Sequence, residues 1–126
     1  MHKISFRVYY EDTDAQAIMY YANYLKFAER ARTEWLREIG FNNSELDFFF
    51  VVRHAAVDYF ASAKLDDLLD VQTSIIEHTR TKIIMEQDFF RGESKIAAVR
   101  IVLVAVDFTL KPHRISDEIL AKMGIV

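Results

Sequence analysis

Residues 9 to 41 read YYEDTDAQAIMYYANYLKFAERARTEWLREIGF, and two different rhythms meet inside this stretch. It opens on an acidic turn, Glu11, Asp12 and Asp14. A short apolar run, Ala15 to Tyr21, follows. From about Ala22 the period becomes helical: Tyr24, Ala28, Ala31, Trp35 and Ile39 fall three or four residues apart, and Leu25, Phe27 and Leu36 widen the stripe. Lys26, Glu29, Arg30, Arg32, Glu34, Arg37 and Glu38 mostly occupy the other side. Asn23 or the preceding turn is expected to cap the start, and Gly40 stands where a left-handed C-terminal cap belongs. The helix should run roughly 25 Å at 1.5 Å per residue. Arg30 and Arg37 lie close enough to offset the like charges of Glu34 and Glu38.

Outside this stretch the chain reads as strands. Ile4, Phe6 and Val8 alternate with polar neighbours ahead of the turn. After a polar connector at Asn42 to Asp47, Phe48 to Phe60 reads as a strand with Val51, Ala55, Val57 and Tyr59 on one side. Asp66-Asp67 marks a turn, and Leu69 to Ile75 alternates again. Lys82 to Phe90 sets Ile83, Met85 and Phe89 against Lys82, Glu86 and Asp88, and Gly92-Glu93-Ser94 makes a hairpin turn. Lys95 to Phe108 is apolar on both faces, which predicts a central strand ended by Pro112. Asp117 to Met123 predicts a short terminal helix. The result is an α+β chain, with five strands and one long helix that must cover the apolar face of the sheet. The three phenylalanines at 48 to 50 and the two-sided last strand point to a second subunit on the other face.

Composition narrows the function. The 126 residues suit a single domain spanning 1–126, able to bury roughly two-thirds of its unfolded surface. There is no cysteine, which excludes disulfides, thiolate metal sites and a cysteine nucleophile. A net charge of −3 without a Lys/Arg block gives no support for nucleic-acid binding. The alternating start is unlike a signal peptide, and the run Ile101 to Val106 is far shorter than the roughly 20 residues a membrane-spanning helix needs. These features predict a soluble, cytoplasmic protein with no integral membrane segment.

Chemistry is expected at the acidic turn. A carboxylate beside the apolar run would be partly desolvated, which raises its basicity and nucleophilicity. The helix behind it starts with unpaired N–H groups and a partial positive charge, suited to a carbonyl oxygen becoming negative. Together they make a minimal acyl-transfer site, better matched to an activated ester than to an amide. Met19 and Tyr20 in the apolar run are read as substrate-binding, and Met19, Phe60 and Phe48 to Phe50 as setting pocket depth. Arg80 and Lys82, and a second group at Lys111, His113 and Arg114, are cationic candidates for a phosphorylated ligand tail. Asp-x-Asp alone is a poor metal signal. The histidines show no ligand spacing, and no serine-triad or phosphate-loop motif occurs, so no metal or cofactor is expected.

The segment YYEDTDAQAIMYYANYLKFAERARTEWL resembles the opening of the hotdog-fold acyl-CoA thioesterases of the 4-hydroxybenzoyl-CoA thioesterase type. Within that family it is most similar to the branch associated with the Tol-Pal system, the YbgC-like thioesterases. VVRHAAVDYFASAKLDDLL, TRTKIIMEQ and VDFTLKP continue the resemblance, so it covers nearly the whole chain. It implies an antiparallel five-stranded sheet wrapped around one long central helix. It also implies homodimers, often paired into homotetramers, with active sites where subunits meet. The catalytic carboxylate falls on Asp14, which attacks the thioester carbonyl or activates a water, and the backbone amide at Tyr21 binds the carbonyl oxygen. The implied substrate is acyl-CoA, with acyl carrier protein as an alternative acyl donor. Two departures stand out. The branch has Gly-Gly where this chain has Gln16-Ala17, and His where it has Tyr21. Glycine reaches positive φ freely and alanine does not, so the turn is open to a different shape. Two rival readings follow from the same fold: a dehydratase or hydratase, disfavoured because no His lies near Asp14, and a non-catalytic module binding acyl-CoA or acyl carriers.

Overall fold

In a computed structural model that describes residues 1–41 and 46–125, five strands form one antiparallel sheet. The elements are β1 (His2–Arg7), α1 (Asn23–Glu38), β2 (Phe49–Tyr59), β3 (Leu68–His78), β4 (Lys82–Arg91), β5 (Ser94–Val106) and α2 (Asp117–Lys122). The strand order is β1-β3-β4-β5-β2, so β1 and β2 are the edges. β5 is an interior strand, as its two-sided apolar pattern predicts, and β4 holds the centre. Residues 42–45 of the polar connector lie outside the described residues. The predicted Gly92 hairpin joins β4 to β5. Pro112 does not itself end β5. The strand stops at Val106, and Asp107 closes the following turn by accepting from the Thr109 and Lys111 amides.

Helix α1 lies against β1, β3 and β5. Tyr24, Phe27, Ala28, Ala31 and Trp35 are buried under it, opposite Leu69, Val71, Ile83, Met85, Phe89, Val99 and Ile101. Burying a side chain the size of Phe27 stabilises the fold by about 1.5–3 kcal/mol. The stripe differs from the prediction in two places. Leu25 is exposed, and Arg32, expected on the solvent side, is buried at 8% exposure. The reason is a partner distant in sequence, since Arg32 Nη1 donates to Gln87 Oε1 at 2.9 Å. The predicted cap also differs. Ala22 precedes the helix without a side-chain cap, and Asn23 Nδ2 donates instead to the Asp12 carbonyl at 2.9 Å. Gly40 takes the left-handed cap at φ 80°, with the Phe41 N–H returning to the Leu36 carbonyl. Of the surface charges, Arg37 pairs with Glu34, and Glu38 is taken by His2 at 2.9 Å.

β2 carries a register shift between Val52 and His54. The extra residue reverses the alternation, so Phe50, Val52, Ala55, Val57 and Tyr59 share a face with the core residues of β5. Val51, expected with Ala55, pairs with Val104 on the outer face instead. The phenylalanine run splits in the same way. Phe48 is buried beside Phe41 and His113, Phe50 stacks on Phe41, and Phe49 meets Phe108 on the outside. All three therefore make aromatic contacts within the chain, Phe48 and Phe50 on the inner face and Phe49 on the outer one. No helix among the described residues is long and apolar enough to cross a membrane.

Candidate active site

The acidic turn folds back on itself. The Asp14 N–H donates to the Ile18 carbonyl at 2.9 Å, the Tyr20 N–H donates to the Asp12 carbonyl at 2.8 Å, and Thr13 bridges to Met19. This miniature hairpin has two faces, because side chains alternate along extended backbone. Met19 goes to the core with 3% exposure. Asp14, Ile18 and Tyr20 share the other face. Asp12 serves the turn, since its carboxylate accepts the Tyr9 N–H at 2.9 Å.

Asp14 is half-buried, and its Oδ1 accepts the Gln16 N–H at 2.9 Å. Among the described residues its second oxygen has no protein partner. Ala17 takes φ 63°. The Gln16-Ala17 departure therefore leaves the chain in a conformation that glycine adopts freely, and alanine holds it under strain. The Tyr20 phenol sits above its ordinary pKa, first because of the Tyr21 hydroxyl and, more weakly, because the Asp14 carboxylate is near.

The start of α1 supplies the donors. The Tyr20 carbonyl accepts the Asn23 N–H at 2.9 Å, which fixes the Tyr20–Tyr21 peptide plane. Tyr59 Oη donates to the Tyr21 carbonyl at 2.8 Å and fixes the next one. Among the described residues the Tyr21 N–H donates to no protein acceptor. The hydroxyl of Tyr59 is held in its protonated form, burial raising its pKa first and Tyr21 second. Beside these groups lies a groove of about 290 Å³ lined by Ile18, Met19, Tyr21, Tyr24, Tyr59 and Phe60. The Tyr21 ring packs 4.8 Å from Tyr20 and edge-on to Tyr59.

Asp14, Tyr20 and Tyr21 are thus neighbours on the turn and at the helix start, while Met19, Tyr21 and Phe60 line the groove. Arg80 and Lys82 belong to neither group. They lie where β3 turns into β4, and Lys82 is level with Val104 and hence with Val51. That is about 26 Å from Tyr59 at the strand rise of about 3.3 Å per residue. Phe48 is likewise remote from this groove. Tyr59 was legible only as a strand residue, and nothing local in the sequence signals its bond to the carbonyl of residue 21.

A free amide at a helix start beside a mostly apolar groove, with a half-buried carboxylate on the adjoining turn, suits attack on an activated acyl carbon. Residues 8–123 match the model of the thioesterase-like superfamily. The chain belongs to that superfamily. It is 42% identical over 120 residues to the acyl-CoA thioesterase YbgC of Haemophilus influenzae, covering 91% of this chain and 88% of that protein. Identity to the acyl-CoA thioester hydrolase YbgC of Escherichia coli O6:H1 is 40% over 121 residues, covering 92% and 90%. A probable thioesterase from Bartonella henselae superposes with a TM-score of 0.85 at 36% identity, covering 91% of this chain and 98% of that one. The fold is accordingly the hotdog arrangement of that superfamily, a five-stranded antiparallel sheet with one long helix.

Proposed function

We propose that this chain is an acyl-CoA thioester hydrolase with Asp14 as its catalytic carboxylate. The observation that carries this reading is the Tyr21 N–H, which among the described residues has no acceptor, beside a mostly apolar groove at the helix start, with the half-buried Asp14 carboxylate on the adjoining turn. The thioester carbonyl oxygen sits at the Tyr21 N–H. Asp14 delivers the oxygen nucleophile to the carbonyl carbon, either its own or that of a water it deprotonates. Negative charge gathers on the carbonyl oxygen, where an amide donor already in position contributes about 3–4 kcal/mol. The C–S bond then breaks, CoA leaves as a thiolate and takes up a proton, and the acid is released after water has added. Histidine at position 21 is not needed, because the donor is backbone and survives the change to tyrosine.

The 126 residues act as one hotdog domain, and the working form is a homodimer, which can pair further into a tetramer. Support comes from β2, an edge strand of eleven residues whose Val52 is half exposed. Antiparallel pairing of β2 with its copy brings the Phe49 end of one chain beside the Tyr59 end of the other. The Arg80–Lys82 turn then approaches the partner copy's groove, where it can hold the phosphates of CoA. Acyl carrier protein is a second acyl donor. The enzyme works in the cytoplasm, in the Tol-Pal-associated branch that its opening motif resembles.

The test is thiol release from short-chain, long-chain and aromatic acyl-CoAs, with Asp14→Asn alongside. Release by the wild type and its loss in Asp14→Asn are expected. Release from none of them, or equal release by Asp14→Asn, overturns the reading. CoA raising the melting temperature without turnover of any thioester would mark a binding module instead.

A further inference from the structure

Asn23 is the first residue of α1, yet its side chain serves the acidic turn rather than the helix. Asparagine at a helix start is ordinarily useful as an acceptor for the helix's own free N–H groups. Here Asn23 is buried at 7% exposure, and its Nδ2 donates backwards to the Asp12 carbonyl at 2.9 Å. Among the described residues this is the one side-chain hydrogen bond between residues 10–14 of the acidic turn and α1. It closes a ring of three. The Asp12 carbonyl also accepts the Tyr20 N–H at 2.8 Å, and the Tyr20 carbonyl accepts the Asn23 N–H at 2.9 Å. The two backbone bonds hold the second arm of the hairpin to the first arm and to the helix. Only the Asn23 amide ties the first arm, which carries Asp14, directly to the helix. Asp14 lies two residues beyond Asp12, and Tyr21 two residues before Asn23, so the cross-link stands close to both groups along the chain.

The residue type fits that task. The first turn of α1 holds no acidic residue, although a helix start favours negative charge. Aspartate in place of Asn23 would suit the helix, but an ionised carboxylate has no N–H to give and would face the Asp12 carbonyl with a second acceptor. It would also bring negative charge towards the Tyr21 N–H, where a thioester carbonyl oxygen gains its own. Leucine has nearly the shape of asparagine and neither polar atom. Losing the Asn23 bond leaves both backbone bonds of the ring in place, so the turn is freed to shift without the hairpin or the helix start opening.

We infer that Asn23 is a positioning residue, whose amide sets the Asp14 turn against the start of α1 and so fixes where the nucleophile meets a carbonyl held at Tyr21. This rests on the hydrolase reading above, and it gives Asn23 no contact with the substrate. Rate is sensitive to such placement, since a shift of about 1 Å can cost about 10²-fold.

The experiment measures kcat, KM and melting temperature for Asn23→Leu and Asn23→Asp by thiol release from the same acyl-CoAs, with Asp67→Ala as a comparator in a different turn. In both Asn23 variants kcat should fall about 10–10²-fold while KM stays within about twofold. Asn23→Leu should melt above Asp67→Ala, and Asp67→Ala should keep its kcat; a rate loss that merely followed stability would reverse that order. A second readout does not depend on turnover. Butyryl-CoA and benzoyl-CoA, isotope-labelled at the carbonyl carbon, are bound to Asp14→Asn and to Asp14→Asn/Asn23→Leu, and the carbonyl stretch is read by infrared spectroscopy. The hydrogen bond from Tyr21 should lower that stretch equally in both chains, because the Asn23 bond places the turn and not the donor. Hydrolysis by the wild type with kcat unchanged in both Asn23 variants overturns this inference and leaves the Asp14 reading standing. A rise in KM with loss of the carbonyl shift also overturns it, by showing that Asn23 only holds the helix start together. No shift in Asp14→Asn itself removes the carbonyl from Tyr21 and overturns both, as does a wild type that hydrolyses no thioester.

Discussion

Two acidic turns of this molecule use nearly the same parts to opposite ends. Each places an aspartate next to a residue of positive φ that is not glycine, Ala17 at 63° near Asp14 and Asp66 at 72° beside Asp67. The carboxylate of Asp67 accepts the Lys64 N–H at 2.8 Å and Arg91 Nη1 at 3.1 Å, both on Oδ2. Arg91 also donates to the Ser62 carbonyl at 2.6 Å, so the pair ties β4 to the loop ahead of β3. Among the described residues Asp14 accepts one amide, that of Gln16, and no cation. What separates the two aspartates is the cation: Asp67 is paired with Arg91, and among the described residues Asp14 is paired with none.

The largest effect expected from this contrast is at Asp14. Asp14→Asn can still accept the Gln16 N–H, so stability should stay within about 0.5 kcal/mol of wild type, as for other substitutions away from the core. Thioester hydrolysis should fall by about 10²–10⁴-fold, the range expected for losing a positioned acid–base group. Thermal melting and kcat/KM, measured on the same preparation, check both halves. A large loss of stability would mean that Asp14 is a second Asp67.

Asp67→Ala should show the reverse pattern. It strands the Lys64 N–H and Arg91, costing about 1.5–3 kcal/mol, the range for hydrogen bonds to charged groups, while leaving turnover near wild type. The pH dependence sharpens this. Partial burial pushes the Asp67 carboxyl up, but the Lys64 amide and the Arg91 guanidinium outweigh it and hold it below its ordinary value. A depressed folded pKa gives stability that is complete above the unfolded value, about 3.9, and is lost as pH falls through the lower folded one. Denaturant melts of wild type and Asp67→Ala should therefore converge in acid and separate above about pH 4. A gap that stays constant with pH would refute the charge-based account of this turn.

A smaller effect is expected at Tyr59, whose hydroxyl holds the Tyr21 carbonyl while its ring packs 5.2 Å from Tyr24. Tyr59→Phe keeps the ring and removes one hydrogen bond, worth about 0.5–1.5 kcal/mol. If holding the Tyr21–Ala22 peptide also steadies the free amide of the peptide before it, kcat should fall up to about tenfold, which corresponds to about 1.4 kcal/mol, with KM nearly unchanged. A rise in KM alone would make Tyr59 a groove wall rather than a positioning residue.

How much of this could be read beforehand depended on how far apart the interacting residues lie in the chain. Tyr24, Ala28, Ala31 and Trp35 were legible because a helix repeats every three or four residues. The placement of Asp14 on a turn next to the start of α1 was legible because turn, apolar run and helix start are contiguous. The burial of Arg32 was not, since it depends on Gln87, 55 residues away. Val51 was misplaced because the register shift of β2 leaves the apolar pattern intact while reversing which face it lies on. Arg80 and Lys82 looked like part of one site because sequence carries no distance; the strand register puts them at the far end of the sheet.

The finest comparison between the turns concerns their strained residues. Alanine at φ 63° holds a left-handed conformation that costs about 1–2 kcal/mol for a residue with a Cβ. Glycine removes that strain, but it loses more conformational freedom on folding, which takes back about 0.5–1 kcal/mol. Ala17→Gly should therefore stabilise the chain by about 1 kcal/mol or less, raising the melting temperature by a few degrees. Asp66→Gly should gain less, because aspartate enters the left-handed region more readily than alanine. If the strain at Ala17 also holds the Asp14 carboxylate in place, Ala17→Gly will stabilise the protein and slow the enzyme at once. If the turn is merely tolerated, stability will rise with kcat unchanged. Only the first outcome makes the departure from glycine part of the catalytic geometry.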